Sequence, residues 1–228
     1  MKAKFGAIVV DGRGKINGFV ASRNTYGAYF RTKVTPANPN TTAQALVRGQ
    51  FTGVSQAWRG LTQPQRQGWF TLATQVTRTN IFGDSVPLTA FNLFMRLNRN
   101  LQAIGIATLT NAPTLAAVTS LTTLSVIGDV GDNNVVVTFA PTPVPASHSL
   151  LIRSTGPVSA GIKFVKSQFR QIVVAPAASG TGLDITNEYV TRFGTLVAGQ
   201  SIYFEAFLVN TLTGLDSGRL QARCVVTA

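Results

Sequence analysis

The sequence is short of the groups that do chemistry. It has one histidine, His148, one cysteine, Cys224, and two glutamates, Glu188 and Glu205. A lone cysteine excludes an intrachain disulfide and a cysteine-rich metal site. A nucleophilic triad is assembled in space around a histidine held by a carboxylate. His148 lies between Ser147 and Ser149 in a proline-rich stretch and reads as an exposed loop residue. Paired acid and base carboxylates, or a hard-metal cage, need clustered acids. The nearest approach is Asp129-Val130-Gly131-Asp132-Asn133, which has the composition of a turn. We therefore expect no catalytic residue, no metal and no cofactor. No apolar run approaches the roughly 18 residues of a membrane span. Lys2 and Lys4 precede an apolar run, Phe5 to Val10, that is too short for a signal peptide and has no small-residue cleavage pattern, so synthesis in the cytoplasm is expected.

What the chain does have is positive charge, unevenly placed. Residues 1–111 carry thirteen Lys and Arg against Asp11 and Asp84, while residues 112–228 carry seven against six acids. The halves contribute +11 and +1 to the total of +12. This asymmetry points to a polyanionic or acidic partner for the first half alone, the plain alternative being that the excess only keeps the protein in solution. At 228 residues and 45% hydrophobic content, two domains of ordinary size are expected.

The N-terminal residues read as extended segments with turns. Ala7 to Val10 and Gly18 to Ala21 flank Asp11-Gly12-Arg13-Gly14-Lys15, whose Asp-Gly pair signals a hairpin. A third strand is expected over Tyr26 to Val34, with Tyr29, Arg31 and Lys33 on one face and Phe30, Thr32 and Val34 on the other. The Pro36 to Pro39 stretch ends it. Gly12-Arg13-Gly14-Lys15-Ile16-Asn17-Gly18 lacks the spacing and the following helix of a phosphate-binding loop, so its glycines serve backbone turns.

Three helices follow. Thr41-Thr42-Ala43-Gln44 and Thr62-Gln63-Pro64-Gln65 have capping-box spacing, and Thr89 caps a third helix that Gly105 ends. Val47, Phe51, Val54 and Trp58 form one apolar stripe. Trp69, Leu72, Ala73 and Val76 form a second, and Phe94, Leu97, Leu101 and Ile104 a third. Three such helices are expected to make a core that includes Trp58 and Trp69, rather than a DNA-reading pair. Residues 107–117 read as a linker. Short β-rich runs follow at Val135 to Phe139, Leu150 to Ile152, Gln168 to Val174, Ile202 to Val209 and Leu220 to Val226. Their spacing argues for a sandwich. The expected fold is mixed: an N-terminal β-hairpin plus three-helix region over 1–106, then an all-β, immunoglobulin-like sandwich over 118–228.

Leu196 to Asn210 resembles the penultimate strand region of fibronectin type III domains, with Thr213 to Gly218 as the loop before the last strand. Ile202 occupies that family's corner-tyrosine position, and Tyr203 comes one residue late. The resemblance implies a fold more than a function. In the N-terminal half, the shared residues are Gly12 to Gly18, Arg31-Thr32-Lys33, Asn38 to Gln44, Arg48, Phe51, Trp58, Leu61-Thr62 and Trp69. These resemble a group of uncharacterised bacteriophage and prophage proteins, especially of Bacteroidota phages. The resemblance implies a virion location and a structural, non-enzymatic role in capsid decoration, neck or tail. Its partners would be other virion structural proteins and copies of itself.

Partner binding is expected at Arg13, Lys15, Arg23, Tyr26, Tyr29, Arg31 and Lys33, as a charged, aromatic-bearing sheet surface. Such a surface suits an acidic capsid or neck protein, or nucleic-acid phosphates bound in a salt-sensitive way. Two other function classes are therefore kept: a nucleic-acid-binding protein, and a subunit of an extracellular filament or adhesin.

Overall fold

The computed structural model describes residues 12–35, 40–79 and 82–228, apart from the side chain of Arg78. The chain divides into two compact units, Met1–Leu93 and Phe94–Ala228. The division falls ahead of the expected linker at 107–117 and inside a helix.

In the first unit, β1 (Gly14–Ile16), β2 (Phe19–Asn24) and β3 (Gly27–Thr32) form an antiparallel sheet in that order. The first turn is Asn17-Gly18, with Asn17 at φ 49° and Ile16 paired to Phe19. This turn lies after the one expected over 11–15. Asn17 takes the positive φ of this turn, which asparagine tolerates better than most residues with a side chain. Gly14 and Lys15, expected in that turn, lie in a strand, while Asp11 and the expected strand at Ala7 to Val10 lie outside the described residues. Among the described residues this sheet has three strands.

Helices α1 (Thr42–Gly60) and α2 (Gln63–Thr74) start where the capping pattern places them. Thr41 Oγ1 accepts from the Gln44 amide at 3.3 Å, and the Thr62 amide donates to Gln65 Oε1 at 2.9 Å. Buried side chains in this unit come from Ala21, Val54, Leu61, Trp69, Leu72, Ala73, Ala90 and Leu93. Trp58 is half-buried, edge-on to Phe70 and Phe91 at centroid distances of 6.4 and 5.8 Å. Between α2 and the next helix, β4 (Thr77–Thr79) and β5 (Ser85–Pro87) pair as a small hairpin.

Helix α3 (Ala90–Ala103) begins at Thr89, whose Oγ1 accepts from the Asn92 amide at 3.2 Å. It ends at Gly105, which has φ 78°, and the Ile106 amide reaches back to the Leu101 carbonyl at 2.9 Å. Only glycine enters that left-handed conformation without cost.

The second unit is built on two antiparallel sheets. The first contains β6 (Thr123–Asp129), β7 (Asn134–Ala140) and β10 (Leu183–Asp184), in the order β10-β7-β6. The second contains β8 (His148–Ser154), β9 (Arg170–Ala175), β11 (Ser201–Asn210) and β12 (Leu220–Val225), in the order β12-β11-β8-β9. One buried cluster draws Val126, Val135, Val137 and Phe139 from the first sheet and Leu150, Ile152, Ile202, Phe204 and Leu208 from the second, so the sheets face each other as a sandwich. The unit is not all-β. Helix α4 (Thr186–Phe193) lies between β10 and β11, and its Tyr189 is fully buried in the same cluster.

Nine of the ten residues of β11 are buried, because both faces of its sheet are covered. Leu151, Phe207 and Val209 on the outer face form a second cluster with Val174 and with Ala103 and Ile104 at the end of α3. Polar contacts fix the helix there. Arg96 pairs with Asp216 at 2.7 Å, Asn100 Nδ2 donates to the Gly214 carbonyl at 2.9 Å, and Gln171 Nε2 donates to the Ala103 carbonyl at 2.9 Å. The segment expected to be a linker is held as well: the Leu109 amide donates to Oδ1 of fully buried Asn98 at 2.6 Å.

Candidate interaction surface

Cross-strand partners in an antiparallel sheet share a face. The registers Lys15↔Val20 and Val20↔Arg31 therefore set Lys15, Val20 and Arg31 in one row on one face. Tyr29, paired with Ser22, lies on the same face one step along the strand. Lys33, two residues after Arg31, continues that face, with its amide donating to the Gly18 carbonyl at 2.8 Å. Lys15, Arg31 and Lys33 are exposed and Tyr29 is half-buried. Arg13 adjoins the row, but Gly14, at φ 121°, interrupts the regular pleat between it and Lys15.

The other two expected residues do not join this face. Arg23 pairs with Ala28 and falls on the opposite side, with Phe19, Ala21 and Phe30. Tyr26 sits in the β2–β3 turn, and its hydroxyl accepts from Asn92 Nδ2 at 3.2 Å, tying the turn to the start of α3. A stretch of basic and aromatic residues does not reveal register, and one step in register moves a side chain to the other face.

The opposite face of the sheet changes character along its length. Ala21 is buried, whereas Ile16 and Phe19, cross-strand partners nearest the Asn17-Gly18 turn, are each 56% exposed. Helix α1 does the same. Of its expected stripe only Val54 is fully buried, while Val47 and Phe51 are 54% and 53% exposed and Leu46 is exposed beside them. Helical spacing identifies a stripe but not its neighbour, so the sequence placed this half of α1 in the core. Leu46, Phe70 and Phe82 add to the exposed apolar surface of this unit and were not marked by any sequence pattern.

The remaining candidates lie in the second unit. His148 is buried at the start of β8, not exposed in a loop; its Nδ1 lies 2.8 Å from the Ala146 carbonyl, and its Nε2 is buried without a hydrogen-bond partner. Asp129 closes its turn by accepting from the Asp132 amide at 2.9 Å and from the Thr227 hydroxyl. The Thr227 hydroxyl first, and then the Asp132 amide, hold its carboxyl below the usual range. No group of three His, Cys, Asp or Glu among the described residues is placed to hold a metal ion. No helix among them is long and apolar enough to cross a membrane. Ile202 is fully buried in the sandwich, and the neighbouring Tyr203 donates its hydroxyl to the Ile162 carbonyl at 2.8 Å.

No protein-family model matches the chain, and no curated protein matches it. Among solved structures, the chain is similar to one described as a Fn3-like protein from Clostridium thermocellum, at 14% identity and a TM-score of 0.31, over 50% of this chain and 97% of that one.

Proposed function

We propose that this protein is a non-enzymatic structural subunit of a bacteriophage virion, in capsid decoration, neck or tail. In this reading the N-terminal unit anchors it and a fibronectin type III-like, immunoglobulin-like sandwich is displayed. The observation that carries the proposal is the exposed apolar surface of the first unit. Ile16, Phe19, Leu46, Val47 and Phe51 are each more than half exposed, on a unit that also carries most of the positive charge. Exposed apolar side chains gathered on one small unit mark an interaction surface, whereas single scattered ones do not. The antiparallel orders β10-β7-β6 and β12-β11-β8-β9 support the immunoglobulin-like reading of the second unit. The phage-protein resemblance of residues 12–69 supports the virion setting.

The test is the native particle. Mass spectrometry of purified virions is expected to find the chain in stoichiometric amounts, and electron cryomicroscopy to place residues 14–60 against neighbouring subunits. A chain absent from particles, and monomeric at high concentration, overturns the proposal.

A further inference from the structure

We infer that the Lys15–Tyr29–Arg31–Lys33 face of the N-terminal sheet binds single-stranded nucleic acid, with the cations on phosphates and Tyr29 stacked on a base. This goes beyond the virion role and does not depend on it.

The inference rests on register. Strands lie about 4.8 Å apart and rise about 3.4 Å per residue. Lys15 and Arg31, with Val20 between them, are therefore anchored about 10 Å apart, and Arg31 and Lys33 about 7 Å apart on the same side. Tyr29 stands next to Arg31 on that side, across from Ser22. The cations are thus spread over one face of the sheet with an aromatic ring beside them, the combination that tracks a backbone while stacking a base without reading sequence.

Charge complementarity selects the partner. No acidic residue occurs in the sequence between Asp11 and Asp84, and no ion pair of Lys15, Arg31 or Lys33 is present among the described residues. A protein partner with a mixed-charge surface would find no acid on this face to pair with its own cations. A polyphosphate presents acceptors only. Stacking on Tyr29 requires an unpaired base, which favours a single strand over a duplex.

The experiment uses the full chain and a fluorescent 20-nucleotide oligo-dT probe, with the matching duplex for comparison, titrated from about 50 to 200 mM salt. Binding is expected at low salt, and its logarithm should fall linearly with the logarithm of salt by about 0.7 per phosphate neutralised. The double variant Lys15→Gln/Arg31→Gln should flatten that slope by about 1.4. Arg23→Gln, on the other face of the same sheet, should leave slope and affinity within about twofold, a difference of about 0.4 kcal/mol. Tyr29→Ala should weaken oligo-dT binding at least fivefold, and Tyr29→Phe should retain it.

The inference is overturned by absence of binding at low salt, by an Arg23→Gln loss equal to that of the double variant, or by Tyr29→Ala binding unchanged. Preference for the duplex also overturns it. Circular dichroism of each variant separates loss of the face from loss of the fold. Failure here leaves the virion proposal standing, because particle incorporation is read separately.

Discussion

The carbonyl oxygen of Leu97 lies 2.4 Å from the position a Cβ would take on Gly214. The β11–β12 loop therefore touches the backbone of α3 at a point where only glycine fits. Gly214 also has φ 74°, which disfavours any side chain independently of space. Its carbonyl accepts from Asn100, and two residues on Asp216 pairs with Arg96. The helix, the loop and the outer face of the four-stranded sheet form one packed arrangement.

Gly214→Ala should therefore be among the most damaging single substitutions in this unit. The positive φ and the backbone overlap together should cost about 3 kcal/mol or more. Arg96→Ala should cost less, about 1–2 kcal/mol, because Arg96 is nearly half exposed while the Asp216 carboxylate it leaves behind is mostly buried. Urea denaturation of the two variants checks the contrast. Equal costs would mean that the loop yields around the new methyl group.

Much of this architecture was legible in the chain, and the reasons for the gaps are physical. Helix starts were readable because capping is local: Thr41, Thr62 and Thr89 carry their partners within three residues. The main strands of the sandwich were readable from β-branched and aromatic runs. Helix α4 was not, since its eight residues are too few for a periodic signal. The covering of the outer sheet face was written in Leu151, Phe207 and Val209, apolar residues where a solvated face would be polar, and that signal was missed. The later part of α3 groups with the second unit for the same reason, because it supplies that cover. At the basic face, composition pointed to the sheet but only register could separate Lys15 and Arg31 from Arg23.

Glu205 is buried on that covered sheet and holds three side chains. Its Oε1 lies 3.1 Å from Arg219 Nη1 and 3.5 Å from Arg153 Nη1, and its Oε2 accepts from Gln221 at 3.2 Å. Both guanidiniums stand over the Phe207 ring, Arg153 at 5.1 Å and Arg219 at 4.8 Å from its centroid. Burial, followed by repulsion from Arg219, lowers the Arg153 pKa, so this cation depends on its carboxylate. Glu205→Ala should cost about 2 kcal/mol, less than a fully enclosed pair because Arg219 remains partly solvated. Glu205→Leu should recover little, since two cations would still face an apolar neighbour. Thermal denaturation at low and high salt measures both.

Acid should weaken the fold through two turns. Asp184 accepts from the Thr186 hydroxyl at 2.5 Å and from its amide at 2.9 Å, and these bonds hold its carboxyl below the ordinary range, as those from Thr227 and Asp132 do for Asp129. A carboxyl depressed in the folded state contributes stability that is fully present above its unfolded pKa, near 3.8. That contribution is lost as pH falls through the lower folded value. The urea midpoint should therefore be flat between about pH 5 and 7 on this account and decline below about pH 4. Asp129→Asn and Asp184→Asn should each reduce the decline, and a decline unchanged in the double variant would assign it to other groups.

The two tryptophan-containing helices should respond to truncation in opposite ways at core and surface. Trp69→Ala removes a fully buried side chain and should cost about 3–5 kcal/mol. Phe51→Ala removes a ring more than half exposed and should change stability by no more than about 0.5 kcal/mol. If that surface docks on a neighbouring subunit, Phe51→Ser combined with Val47→Ser should leave the isolated fold intact while reducing incorporation into particles. Incorporation at the unaltered level, measured by quantitative mass spectrometry, would remove this part of α1 from the docking surface.

Asn98 sets the last expectation, because it decides whether the chain after α3 is a tether or part of the packed unit. Its side chain acts as a short piece of backbone: Oδ1 accepts from the Leu109 amide at 2.6 Å, and Nδ2 donates to the Phe94 carbonyl at 3.1 Å. Asn98→Ala would leave a partly buried amide and the Phe94 carbonyl short of partners, a loss of about 1–3 kcal/mol. The local signature matters more than the total. Hydrogen exchange at the Leu109 amide should be protected in the parent and fast in the variant, while amides in β8 and β11 stay slow. A Leu109 amide already fast in the parent would restore residues 107–117 to a free linker.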